Sequence, residues 1–474
     1  MTDRPSALTF WQAVGTRFLP FADAATTNLP LARILRLALF QVSVGIAAVL
    51  LNGTLNRVLV VELNTPTWIV ALMIAIPLLV APFRALIGHR SDTHRSVLGW
   101  RRVPYIWFGT LGQFGGLAIM PFALILLSRP DTFVVGVAAS CLAFLLTGAG
   151  MHVTQTAGLA LATDLASDDK RPRVVALLYV MLLVGMMLAA FIIGNLLLDF
   201  TATKLVQVIQ GAAVLTMVLN IAALWKQEAR HRAVPPAAMN APGFTQIWAS
   251  FTAQPNAKRL LLAIGLGAMA FAMQDALLEP YGGEILGLSV GGTTALTGAW
   301  AIGALIAFAH SARQLGSGAD PLRLSGLGAV AGIAAFLMTL FSAPLTSVPL
   351  IYLGAVGIGF GAGLFSVGTM IAAMGLAREG AAGMALGAWG AVQASSAGVG
   401  IALGGLIRDA MALLALQDGM GATLANRATG YGTVYLLEII LLLVTLVALG
   451  PVIGLHLDNR RITADGFGLS EFPT

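Results

Sequence analysis

Apolar runs long enough to cross a bilayer, about 20 residues each, recur along the whole chain. They fall near 36–62, 66–87, 104–127, 133–163, 174–198 and 205–225, and again near 259–286, 290–312, 322–343, 347–377, 383–416 and 430–455. Short polar or basic stretches separate them, and one longer polar break, 226–258, divides them six and six. Within that break Phe244, Ile247, Trp248 and Phe251 repeat at helical spacing, which predicts a short amphipathic helix along the membrane surface. The pattern predicts an all-α membrane protein of twelve transmembrane helices in two six-helix halves, 36–225 and 259–455. Residues 1–35 form an N-terminal segment and 456–474 a tail. In the N-terminal segment Phe10, Trp11, Phe18 and Phe21 beside Arg17 fit a stretch lying on the membrane rather than a cleavable signal.

Charge orients this array. Of the 27 Lys and Arg residues, only Arg57, Arg129, Lys204, Arg408 and Arg427 lie outside the N-terminal segment, the even-to-odd connections and the tail. Basic residues concentrate on the cytoplasmic side of membrane proteins, so both termini are expected in the cytoplasm. The net charge of +6 thereby belongs to helix ends and gives no reason to expect nucleic acid. Composition agrees: 58% of residues are hydrophobic, 10% are charged and the mean hydropathy is +0.86. Soluble domains carry about 25% charged residues. The one cysteine, Cys141, sits in an apolar run, so no disulfide framework is available.

The halves resemble each other. Leu51-Asn-Gly-Thr-Leu-Asn-Arg57 lies over Met273-Gln-Asp-Ala-Leu-Leu-Glu279, and Glu62 then falls on Glu284. Ionisable groups in hydrocarbon cost at least about 2.5 kcal/mol each, so those retained usually face a bundle interior. Candidates for substrate contact are Asn52 and Asn56 in the first run, Gln274 and Asp275 in the seventh, His152, Gln155 and Thr156 in the fourth, and Gln393 in the eleventh. Polar glue between helices is the alternative for these amides. At 1.5 Å per residue from Arg36, Arg57 stands about 30 Å up, near the outer interface. Arg57 and Glu279 occupy matching positions and are expected either to bridge the halves there or to snorkel at helix ends. His152 admits three readings: a proton relay, a ligand to a metal-centred pigment, or a hydrogen-bonded interhelical residue. The glycine pairs Gly359/Gly363 and Gly383/Gly387 predict close helix packing.

The loop between the second and third runs carries Gly88, Asp92, Arg95, Arg101 and Arg102. Gly-x-x-x-Asp followed by basic residues and Arg-Arg resembles the loop between helices 2 and 3 of major facilitator transporters, with extra residues between Asp92 and Arg101. That resemblance implies a gate on the cytoplasmic side, with Asp92 expected to pair with Arg95, Arg101 or the basic residues Lys170, Arg171 and Arg173.

Residues 35–45, Gly53-Thr-Leu-Asn-Arg57, 81–99, Gly158-Leu-Ala-Leu-Ala-Thr-Asp164 and Leu224-Trp-Lys-Gln-Glu228 together resemble the bacteriochlorophyll delivery proteins of the PucC and LhaA type, a family of the major facilitator superfamily. The resemblance implies two pseudo-symmetric halves in the photosynthetic (intracytoplasmic) inner membrane of a bacterium. It also implies a role in assembling light-harvesting complexes. The partners would be membrane lipid, bacteriochlorophyll or a precursor as cargo, and antenna α and β polypeptides or the reaction-centre core. His152 would then be a candidate ligand to the pigment Mg, beside Gln155 and Thr156 on one face of the helix. No resident metal or nucleotide is expected. A solute or proton-coupled transporter is the alternative, with Asp275 as its nearest buried carboxylate. An enzyme is not expected: Asp164-Leu-Ala-Ser-Asp168-Asp169 looks like a diphosphate–Mg motif, but the second half offers only Arg378-Glu379-Gly380 where a second such motif is needed.

Overall fold

The computed structural model of the protein describes residues 29–80, 100–167, 170–228, 256–375, 382–416 and 426–453. Gly88, Asp92 and Arg95 of the expected gate lie outside these, as do the N-terminal surface segment, the linker helix and the tail. Among the described residues there is no strand. The helices are α1 (Leu31–Glu62), α2 (Thr67–Val80), α3 (Val103–Leu127), α4 (Phe133–Leu165), α5 (Arg171–Leu196) and α6 (Ala202–Leu224). They continue as α7 (Ala257–Glu284), α8 (Val290–Gly316), α9 (Pro321–Ser342), α10 (Val348–Gly375), α11 (Ala382–Leu416) and α12 (Ala428–Leu449). Eleven are long and apolar enough to cross a bilayer, and the described part of α2 is shorter. All twelve stand where the hydrophobic pattern places them. The first begins at Leu31, ahead of Arg36, because Pro30 in an extended conformation launches it.

Lipid as solvent inverts the usual distribution of side chains. Phe108, Phe122, Val134 and Val447 point outward, while Gln41, Gln113, Asn220 and many threonines are buried. The inner positions are held by hydrogen bonds, such as Gln113 Nε2 to Ser43 Oγ at 3.0 Å and Asn220 Nδ2 to Thr110 Oγ1 at 3.0 Å. Trp107 and Trp225 are exposed near the ends of α3 and α6, at the depth where tryptophan marks the membrane interface.

Helices approach closely where glycines remove the side chain. A Cβ built on Gly361 of α10 would stand 2.7 Å from the Gly328 carbonyl oxygen of α9. Gly359 and Gly363 meet α8 at Trp300 and Ala307, as their spacing predicts. Gly387 differs, with no neighbour within 4 Å of its would-be Cβ, so spacing alone did not make it a contact.

Two helices are broken, and they are the pair related by the internal repeat. In α1 the hydrogen bonding widens to π geometry over Val49–Leu55 and again over Val58–Glu62. In α7 it tightens to 3-10 geometry over Met273–Ala276 before resuming at Leu278–Glu284. Pro280 accounts for the second break, because it has no N–H for the carbonyl four residues back and its ring crowds that carbonyl. In α1, Asn52-Gly53 sits inside the widened turn, where Gly53 lies against the Thr297 side chain of α8.

The end of the bundle that carries the basic loops (here the basic end) is tied together by α3. Its first backbone amides, at Arg101, Arg102 and Val103, all donate to the Glu228 carboxylate beyond α6, at 2.7 to 3.2 Å. A carboxylate there satisfies donors that a helix start leaves free and sits at the positive end of the helix dipole. Next to it Gln227 accepts from Arg33 Nε at 3.1 Å, joining α1. Glu228→Ala is expected to cost about 1–2 kcal/mol, the worth of a good helix cap. It should appear as a lower Tm of the detergent-solubilised protein, and an unchanged Tm would remove this role.

Candidate functional site

The widened turn of α1 and the tightened turn of α7 meet in the middle of the bundle. Asn56 is fully buried and donates from Nδ2 to the Asp275 carbonyl oxygen at 3.2 Å. Its Oδ1 is buried with no hydrogen-bond partner. Gln274 donates to the Asp275 side chain and to the Phe271 carbonyl. Nearby Thr54 and Thr294 hydroxyls face each other across the two halves at 3.1 Å. Asn56, Gln274 and Asp275 are thus brought into one polar cluster. Asn52, one turn away, is half-buried and makes no side-chain hydrogen bond to the described residues.

Glu279 belongs to this cluster and not to Arg57. It is 5% exposed and accepts from Thr297 Oγ1 at 2.8 Å. Arg57, 6% exposed, pairs with Glu62 on its own helix and donates to the Leu288 carbonyl oxygen at 3.3 Å. The expected Arg57–Glu279 pair is therefore corrected, and so is snorkelling for both residues. Arg57 does bridge the halves, but to a backbone carbonyl, because the π turns after Asn56 bring Glu62 within reach of it. Sequence alignment of the repeat matched positions along the helices; it carried no information on which way each side chain points.

His152 lies on α4, half-buried. Thr156 donates its hydroxyl to the His152 carbonyl oxygen at 2.8 Å, and Gln155 Nε2 reaches Gln41 Oε1 of α1 at 3.3 Å. All three groups on that face are already engaged within the protein. Gln393 of α11 donates to Ser366 of α10 at 3.2 Å, well apart from the α1–α7 crossing.

At the basic end Arg101 and Arg102 each meet Asp164 Oδ2 at 3.1 Å, joining the start of α3 to the end of α4. Asp164 is the residue that opens the Asp-rich stretch, and here it serves as an ion-pair partner. At the opposite end Arg408 of α11 pairs with Glu284 of α7 and, at 2.8 Å, with Asp409. Its guanidinium carbon lies 4.4 Å from the Tyr431 ring centre, and Tyr431 donates to Glu284 at 3.0 Å. Asp409 Oδ2 accepts the Trp68 amide at 3.0 Å, so this cluster also ties α11 to the start of α2 in the other half.

One further group was not singled out from the sequence. Glu438, at the middle of α12, is fully buried, and neither carboxylate oxygen has a hydrogen-bond partner. A single Glu ten residues into an otherwise apolar run was the available signal.

This bundle is a multi-pass membrane protein of the major facilitator fold. A bacterial homologue of the human lysosomal transporter Spinster, in an inward-facing and unoccupied conformation, superposes with a TM-score of 0.66 at 14% identity, over 92% of this chain and 98% of that one. Residues 54–456 match the family described as PUCC protein, and the chain belongs to it. Protein PucC of Rhodovulum sulfidophilum is 57% identical over 406 residues, covering 84% of this chain and 89% of that protein. An uncharacterized protein of Rhodobacter capsulatus, from its puhA-bchM intergenic region, is 52% identical over 465 residues, or 96% and 97% of the two chains. The family is involved in the assembly of photosynthetic complexes.

Proposed function

We propose that this protein delivers bacteriochlorophyll, or escorts antenna α and β polypeptides, during light-harvesting complex assembly, without catalysing a reaction. Its basic end faces the cytoplasm of a phototrophic bacterium, and its membrane is the photosynthetic inner membrane. The observation that carries this reading is the family match over residues 54–456 together with the high identity to a PucC protein. The chemistry is compatible. A large apolar ring with a prenyl tail needs apolar surroundings and a few polar groups rather than a charged cavity. Asp164, the residue that an enzymatic reading would assign to diphosphate–Mg binding, is held by Arg101 and Arg102.

The test is to isolate the protein in mild detergent from a phototrophic host and record its absorption spectrum and co-purifying polypeptides. A long-wavelength bacteriochlorophyll band or antenna polypeptides at near-stoichiometric yield are expected. Preparations lacking both, from cells with intact pigment synthesis, would overturn the reading. His152→Leu checks the pigment patch. If His152 ligates the pigment Mg, the long-wavelength band shifts or the pigment-to-protein ratio falls several-fold; an unchanged spectrum and ratio make His152 an interhelical residue.

A further inference from the structure

Three carboxylic acids gather in the interior of the second half. Asp275 is one turn from Glu279 on α7, and the 3-10 turn that carries it packs against α12, which carries Glu438. Glu279 has Thr297 as a donor. Glu438 has no counter-charge at bonding distance and no hydrogen bond of ordinary geometry, with the Gln274 backbone of the 3-10 turn close by. Among the described groups around this cluster, the buried Tyr435 hydroxyl also lacks a hydrogen-bond partner. From α7 come Glu284 and Arg259, of which Glu284 is paired with Arg408 and Arg259 donates to the Ala448 carbonyl at the other end. From α11 come Arg408 and Asp409, bound to each other and to Glu284. From α9 come the hydroxyls of Thr339 and Ser342, and Ser342 is taken by Tyr281. From α12 itself come Tyr431 and Tyr435, and from α1 come Asn56 and Arg57. Among the described residues no Lys, Arg or His pairs with Glu438 or Asp275.

A carboxylate without a counter-charge in this setting is held most cheaply as the acid, with a proton bound. No group of three His, Cys, Asp or Glu among the described residues is spaced to hold a metal ion. A further buried, unpartnered group lies beside Asp275: the Oδ1 of Asn56, whose Nδ2 is fixed to the Asp275 carbonyl. It offers an acceptor for an acid O–H. Asp275 itself keeps some accessible surface while Glu438 is fully buried.

We propose that Asp275 and Glu438 form a proton-binding site whose loading is coupled to the α1–α7 crossing. The coupling runs through the 3-10 turn Met273–Ala276. That turn carries Asp275, faces Glu438 with its backbone, and accepts the Asn56 hydrogen bond from the other half. Removing or adding a proton changes the charge at this turn, which packs against α2, α11 and α12 and is hydrogen-bonded by α1. The site is independent of the cargo and stands whether or not pigment delivery is the function.

The experiment uses the full-length protein without pigment, in detergent. Infrared difference spectra recorded across a pH titration read the carbonyl band of protonated carboxylic acids, and a cysteine pair at positions 54 and 294 reads contact between the halves. The expected result is a titrating acid band that Glu438→Gln reduces and Glu438→Asp retains at a shifted frequency. The cross-linking rate of the parent pair, divided at each pH by that of the same pair in Glu438→Gln or Asp275→Asn so that thiol ionisation cancels, should change several-fold with pH. Size-exclusion profiles identify any variant that does not fold, and Glu438→Asp then carries the test. An acid band and a pH-dependent cross-link unaltered by all three substitutions would overturn the proposal. A titration midpoint that moves when sodium replaces choline would also overturn it, in favour of an alkali cation.

Discussion

Gly361→Leu is expected to abolish accumulation of folded protein. The Cβ alone would stand 2.7 Å from the Gly328 carbonyl oxygen and 2.8 Å from the Gly332 amide nitrogen. Both are backbone atoms of α9, so no side chain is available to swing aside. The two helices must separate along their whole contact, losing the van der Waals packing that holds helices together in lipid. Overpacking a core usually costs about 1–3 kcal/mol, and a backbone obstacle puts this case at the upper end or beyond. Gly211→Leu is the control, because Gly211 is exposed and has no neighbour within 4 Å of its would-be Cβ. Fluorescence-detected size exclusion of tagged proteins should show a normal peak for Gly211→Leu and little or none for Gly361→Leu. Equal peaks would show that the α9–α10 contact is softer than its geometry implies.

Arg408→Ala is expected to have the next largest effect. The side chains of Arg408 and Glu284 are 12% and 13% exposed, and Asp409 is close by at 16%. Removing the guanidinium leaves two carboxylates without a counter-charge, Glu284 with the Tyr431 hydroxyl and Asp409 with the Trp68 amide as donors. Breaking a buried pair from one side costs about 3–5 kcal/mol, because the residual charge stays desolvated. The same change releases Asp409 from Arg408, weakening its hold on the Trp68 amide and hence the α2–α11 contact between halves. A large fall in Tm is expected for Arg408→Ala, with partial recovery when Glu284→Gln is added. That recovery separates an uncompensated charge from simple loss of packing. Arg408→Ala with a Tm like the parent protein's would show that water reaches this cluster and screens it.

The number, order and spacing of the helices were legible because crossing a bilayer is a local requirement. Each run of about 20 apolar residues satisfies it without reference to any other run. The matching of Leu51–Arg57 with Met273–Glu279 was also legible, and it located the two broken helices in advance without saying that they were broken. One turn widens and its counterpart tightens, a difference set by Asn52-Gly53 on one side and Pro280 on the other.

Partners were a different matter. Lipid is as apolar as the side chains packed inside, so hydrophobic periodicity does not reveal which face of a helix turns inward. Rotation and tilt are fixed only when helices meet, at glycines such as Gly328 and Gly361. Arg57 therefore found Glu62 and the Leu288 carbonyl instead of Glu279, and Arg101 and Arg102 found Asp164. Glu438 read as one polar letter in an apolar run until the packing of α12 against the 3-10 turn of α7 put it beside Asp275. The sequence by itself determined which segments enter the membrane and the family to which they are similar. The tertiary structure alone decided which of the described charges are paired and that Glu438 is buried without a counter-charge, since pairing depends on distances between helices that no local pattern encodes.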